Sequence, residues 1–166
     1  PEVDKAGVSG WQDKVRDKIL SEIPAARVAA DQPFRLFDLA IDFCEEPPDL
    51  GLEVARQIKA LFEACGCQAK ISHIHVNGWR GNYDKLSMSA WWMHAFFGEN
   101  LETLKKYYVY CGDSPNDEPM FEAFPMSCAV ANIAPFYEDL RHQPAYVTRG
   151  KGGIGFRELV RHILGA

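Results

Sequence analysis

The sequence predicts an α/β protein whose sheet is largely parallel and flanked by helices. Three observations carry this. Strand-like runs alternate with helical stripes from Phe34 onward, the helical segments place apolar residues three and four apart, and an apolar run ending at Gly112 gives way at once to Asp113, Ser114, Pro115, Asn116 and Asp117. In open α/β sheets the ligand crevice lies beyond the carboxyl ends of the strands, so this loop stands where a site belongs.

The elements follow in order. Trp11, Val15, Ile19 and Ile23 recur every four residues, one helical stripe that Pro24 stops. Phe34 to Cys44 is rich in strand formers and ends at Glu45, Glu46, Pro47 and Pro48. Leu52, Ala55, Ile58, Leu61 and Phe62 form one face of an amphipathic helix closed by Gly66. The alternation in "QAKISHIHVNGW" predicts one continuous strand, with Ile71, His73, His75 and Asn77 on one side, and Asn77-Gly78 predicts a turn. Asp84 to Phe97 reads as a helix, Tyr107 to Cys111 as a fully buried strand, Pro119 to Phe124 as a short helix and Ser127 to Val130 as a strand. Phe136 to Arg141 reads as a helix, Tyr146 to Thr148 as a strand and, after a glycine turn, Phe156 to Leu164 as the last helix. The aromatic stripe Trp91, Trp92, Phe96 and Phe97 reads as core or as a contact between domains.

Composition narrows the function classes. A chain of 166 residues that is 47% apolar can bury one good core or two small ones. A formal charge of −5 without a dense basic run argues against nucleic acid or an acidic membrane surface as the main partner, and points to a small ligand or a metal. The odd count of five scattered cysteines fits buried, reduced thiols and a cytoplasmic setting. No segment approaches the ~18 apolar residues of a membrane span. The chain opens "PEVDKAGVSG" without methionine, which suggests a processed chain or a start inside a longer one.

Crowded carboxylates need a compensating cation or polar ligand, and two aspartates with Asn and Ser suit a hard ion such as Mg²⁺. The same residues also make a capped turn, because Asp, Ser and Asn all favour such positions. Cys65, Cys67, His73 and His75 are the right types for zinc but lack a usual finger spacing. "RGKGGIGF" lacks the GK[ST] of a phosphate-binding P-loop.

"GDSPND" at residues 112–117 resembles the fourth motif, G-D-x-x-N-D, of the haloacid dehalogenase (HAD) superfamily in its sugar-phosphatase-like branch. "NYDKLSMSAWW" resembles the third motif, with Lys85 opening a helix, and "AYVTRGKGGIGFRELVRHIL" resembles the branch's C-terminal ending. The three occur in the family's order. The resemblance implies the C-terminal part of a HAD-like (Rossmannoid) three-layer core at residues 82–166, and an α/β C2-type cap at residues 1–81. It implies Mg²⁺-dependent phosphoryl transfer through an aspartyl-phosphate on a small phosphorylated metabolite, a sugar phosphate being the leading class. Asp113 would then be a metal ligand and Asp117 would support the metal through water or a further hydrogen bond. Asn116 would hold the loop, and Lys85 would neutralise the nucleophile and the phosphoryl oxygens. In the cap, His73, His75, Asn77 and Arg80 would contact the substrate's leaving group, a region that looks like mannosyl-3-phosphoglycerate and sucrose-phosphate phosphatases. The first motif, D-x-D-x-[TV], is missing: Asp38 and Asp42 in "FDLAIDFCEE" stand four apart. The nucleophile would therefore lie outside this chain, which alone would be inactive; the other reading is a non-catalytic α/β binding or regulatory module.

Overall fold

The structure, a computed structural model, describes residues 10–165. Residues 1–9, on which the reading of a processed or internal start rests, lie outside the described residues. The chain divides into two compact units, with the boundary between Asn82 and Tyr83.

The N-terminal unit contains helix α1 (Trp11–Glu22), strand β1 (Arg27–Val28), strand β2 (Asp38–Asp42), helix α2 (Gly51–Ala64), strand β3 (Gln68–Ile71) and strand β4 (His75–Trp79). Its sheet runs in the order β1-β2-β4-β3 with every neighbouring pair antiparallel, which corrects the expectation of a parallel sheet for this half. The β-α-β unit is split: β2 and β3 both run against β4, which lies between them.

The stripe residues of both helices meet one face of this sheet. Val15, Ile19, Ile58 and Phe62 pack with Leu39, Ile41 and Val76 in one buried cluster. Fully burying a side chain of this size contributes about 1.5–3 kcal/mol. Phe62 lies directly over Gly78, where a Cβ would fall inside its ring. This is why Asn77-Gly78 is the middle of β4 and makes no turn: the glycine gives the helix its close approach to the sheet.

The chain turns instead at Ser72. Its amide and hydroxyl both donate to His75 O, at 2.7 and 3.0 Å, and its Oγ accepts from the His75 amide at 3.1 Å. The expected single strand is therefore a hairpin, because the apparent alternation ran straight through the turn. Ile71 sits opposite Val76 on the core face, while His75 and Asn77 sit opposite Asp42 and Ala40 on the other. The strand expected from Phe34 is also shorter; residues Gln32–Phe34 form a 3-10 turn, and the Gln32 carboxamide bonds Asp38 O and the Ala40 amide at 2.9 and 2.8 Å in place of a neighbouring strand.

The C-terminal unit contains helix α3 (Lys85–Phe97), helix α4 (Leu101–Tyr107), strand β5 (Tyr110–Gly112), helix α5 (Glu118–Ala123), strand β6 (Ser127–Ala129), strand β7 (Tyr146–Val147) and helix α6 (Gly152–Leu164). Here the sheet is parallel, in the order β5-β6-β7. The expected strand from Tyr107 starts only at Tyr110, because Tyr107 ends α4 and Tyr108 is its C-cap; Asn100 caps the other end of that helix by accepting from the Thr103 amide at 2.9 Å. β5 is an edge strand, half-buried throughout, so it is not the fully buried strand expected. The expected helix at Phe136 is a 3-10 helix, Ala131–Asp139, with Pro135 inside it removing a helical donor. The glycines ahead of Phe156 form the first turn of α6 itself. Trp91, Trp92, Phe96 and Phe97 are not core in this unit: Trp91 and Trp92 are 48% exposed, and no residue of α3 is buried. All five cysteines are free thiols, with Cys67 and Cys128 buried and Cys44, Cys65 and Cys111 half-buried.

Candidate active site

The acidic loop begins where β5 stops. Asp113 and Ser114 leave the strand, Pro115–Asp117 make one 3-10 turn, and α5 starts at Glu118 with Pro119 in its first turn. Asp117, 1% exposed, is the loop's centre. Its Oδ2 accepts from the Asp113 and Ser114 amides at 2.7 and 3.1 Å. Its Oδ1 accepts from the Tyr110 hydroxyl at 2.5 Å and pairs with Lys85 Nζ. Gly112 is required for this arrangement, since a Cβ there would stand 2.5 Å from Asp117 Oδ2.

Lys85 reaches the loop because of how α3 begins. Asp84 caps the helix, accepting from the Ser87 amide at 2.8 Å while its own amide donates to Ser87 Oγ at 2.9 Å. Lys85 is thus the first helical residue, and its half-exposed ammonium also donates to Asn116 Oδ1 at 3.3 Å. Ser114 Oγ lies 2.8 Å from Asn116 Oδ1 and 3.1 Å from Asp113 Oδ1, and its one proton serves one of them at a time.

The structure therefore brings Lys85, Asp113, Asn116 and Asp117 together. It also separates the roles of the two aspartates. The repulsion expected of crowded carboxylates is offset at Asp117 from within the chain, by two amides, a phenol and an ammonium. Asp113 is half-buried, and its Oδ2 takes no hydrogen bond from a described residue. A half-exposed carboxylate beside Asn and Ser oxygens fits a hard cation that keeps waters of its own. Among the described residues no group of three or more His, Cys, Asp or Glu stands ready to hold a metal, and Cys65, Cys67, His73 and His75 form no zinc site. Tyr110 was not singled out from sequence. Its place two residues before Gly112 puts it opposite the Cys111 face, but the partner of its hydroxyl cannot be read from alternation. Burial, then the charge of Asp117, pushes its phenol well above the ordinary tyrosine range.

In the N-terminal unit the four candidate residues part company. His73 lies exposed in the hairpin turn. His75 is buried with Nε2 2.7 Å from Glu45 Oε2. Asn77 shares its face, and the Asn77 Oδ1 is buried without a hydrogen-bond partner among the described residues. Arg80 stacks over the Trp11 ring, 5.5 Å from its centroid. Asp38 and Asp42 are spent on local structure, the first on Arg35 at 2.7 Å and the second on the Glu45 and Glu46 amides at 2.7 and 3.2 Å.

No protein-family model and no curated protein matches the sequence. Solved structures match it well. The sucrose-phosphatase of Synechocystis sp., in complex with sucrose and phosphate, shares 16% identity at a TM-score of 0.62, over 92% of this chain and 62% of its own. A Thermoplasma acidophilum protein shares 19% at 0.56, over 88% and 60%, and a sugar phosphatase of HAD subclass IIB shares 15% at 0.53, over 78% and 44%. The chain thus spans less than two thirds of each of these structures. Together they define the class: an α/β chain with the haloacid dehalogenase-like fold, in agreement with the resemblance carried by "GDSPND". No described helix is long and apolar enough to cross a membrane.

Proposed function

We propose that the protein is a Mg²⁺-dependent phosphomonoester hydrolase acting on a small phosphorylated metabolite, with a sugar phosphate as the favoured class. One observation carries the reading: a cation from the start of α3 and an acidic loop from the end of β5 are held to one another across 32 residues of sequence. The sugar phosphatases that share the fold support the substrate class.

Asp113 would hold the metal through its free oxygen. Bound Mg²⁺ would draw charge from the phosphoryl oxygens as the transition state develops. Lys85 presents its one remaining N–H to the same oxygens, and Asn116 fixes where that ammonium stands. Asp117 keeps the loop in register and supports the metal only through the groups it binds. The N-terminal unit would serve as the cap, with His75 and Asn77 on its substrate face.

The nucleophilic aspartate would come from a strand outside these residues, added parallel to the free edge of β5. Two features support this. Among the described residues β5 pairs on one side only, with β6, which leaves its other edge able to take a strand. Parallel sheets are also normally covered on both faces, yet Val109 and Met126 are 40% and 38% exposed beside a groove of about 440 Å³ that Cys128, Leu159 and Ile163 also line. The first step would then place the phosphoryl group on that aspartate as the alcohol leaves, and water would release phosphate in the second.

The test is hydrolysis of p-nitrophenyl phosphate by a chain extended upstream to include a D-x-D-x-[TV] strand. Activity should require Mg²⁺ and vanish in Asp113→Ala; full activity in that variant removes the metal-ligand assignment. The missing D-x-D spacing favours a second reading, a non-catalytic α/β binding module on the same scaffold. An upstream segment without the motif, together with no hydrolysis, selects it.

A further inference from the structure

We propose that the Tyr110 hydroxyl is a positioning group for the acidic loop: by donating to Asp117 it fixes the carboxylate that fastens the Asp113 and Ser114 amides, and so aims Asp113. The purpose of that aiming rests on the phosphohydrolase reading above, whereas the geometry stands without it.

The ring and the hydroxyl of Tyr110 do separate things. The ring lies between Phe121 and Phe124, with centroids 5.9 and 6.0 Å away, and packs against both apolar clusters of the C-terminal unit. Phenylalanine would fill that space equally well. The hydroxyl adds nothing to packing and costs free energy to bury unless it is bonded. It is bonded, to a carboxylate oxygen at 2.5 Å.

The direction of that bond matters. The two amides hold Oδ2, while the phenol and the ammonium hold Oδ1. Asp117 is therefore gripped at both oxygens and cannot rotate about its Cβ–Cγ bond without breaking a bond at one end. The two donors on Oδ1 differ in stiffness. Lys85 is a long side chain whose ammonium is half in solvent and belongs, in the proposed chemistry, to the phosphoryl group. Tyr110 is a clamped ring with one rotating bond to its proton. If Lys85 turns toward a ligand, the phenol is what keeps Asp117 in place. The raised phenol pKa, caused by burial and by Asp117, keeps it a neutral donor.

The experiment compares Tyr110→Phe with the parent chain, metal-free, by amide hydrogen exchange. Members of one hydrogen-bond network couple by about 1 kcal/mol, so exchange at Asp113 and Ser114 should quicken about fivefold or more while the Phe121 and Ala129 amides keep their rates. Unchanged rates at Asp113 and Ser114 overturn the proposal. Faster exchange throughout the unit also overturns it, because it makes the hydroxyl a general packing element. A Mg²⁺ titration of both proteins, followed at the Asp113 amide, then tests the aiming: the apparent Kd should weaken several-fold in the variant, and an equal Kd in both overturns that step. If neither protein responds to Mg²⁺ while local exchange quickens, the positioning role stands and the metal-dependent reading fails.

Discussion

Replacing Asp117 by asparagine alters almost no volume and removes the charge on which the loop is built. Four donors converge on its two oxygens. A carboxamide offers one oxygen, so its NH₂ must face either the two backbone amides, donor against donor, or the ammonium, with the phenol forced to turn and accept from it instead of donating. Either orientation loses two bonds to a charged acceptor, each worth about 1.5–3 kcal/mol. Because the four act as one network the losses do not simply add, and Lys85 recovers hydration at its half-exposed end; about 3–5 kcal/mol is the working magnitude, the range for breaking a buried pair. Urea unfolding followed at amides of the C-terminal unit reads this directly. At a slope near 2 kcal/mol per molar, the midpoint should fall by about 2 M. A fall below about 0.5 M refutes the claim that this buried carboxylate fastens the loop.

Other consequences follow from packing and ionisation. Gly78→Ala drives a methyl into the Phe62 ring and should destabilise the N-terminal unit by about 1–3 kcal/mol in denaturant, with much of the loss restored by adding Phe62→Leu; no restoration means the glycine serves its own backbone. Tyr110 has its pKa raised on folding, so the unfolded state ionises first: stability is intact below about pH 10, the ordinary tyrosine value, and declines as pH rises beyond it. That decline should be shallower in Tyr110→Phe, and equal slopes in the two proteins refute it. Burial pushes the Cys111 and Cys44 thiols up to about 11, leaving about a thousandth as thiolate at pH 8 against about a fifth for an ordinary thiol. Alkylation by iodoacetamide, read by mass spectrometry, should be slower by a hundredfold or more in the native protein; rates within tenfold of a model thiol contradict the burial.

How much of this was legible in the sequence depends on whether the deciding contact is local. The face of α2 and the start of α3 were readable, because Ala55, Ile58 and Phe62 repeat at helical spacing and Asp84 caps its own next turn. Asn77-Gly78 carried a turn signal of the same strength and was overruled by a ring on another element, which no local rule contains. The hairpin at Ser72 was hidden for the opposite reason: its turn residues happened to continue the alternation of the flanking strands. The separation of Asp113 from Asp117 was legible only through the resemblance, which gave the first a direct and the second a supporting role. Both are acidic residues in one short loop, and nothing in their spacing says that a tyrosine and a distant lysine occupy one and leave the other open. Lys85 and Asn116 stand 31 residues apart, so only the resemblance to a known motif order connected them. A site of this kind is written in long-range geometry. The apolar pattern determines that β5 and α3 form, and the placement of a few polar atoms on them then decides which carboxylate is structural and which is free to bind.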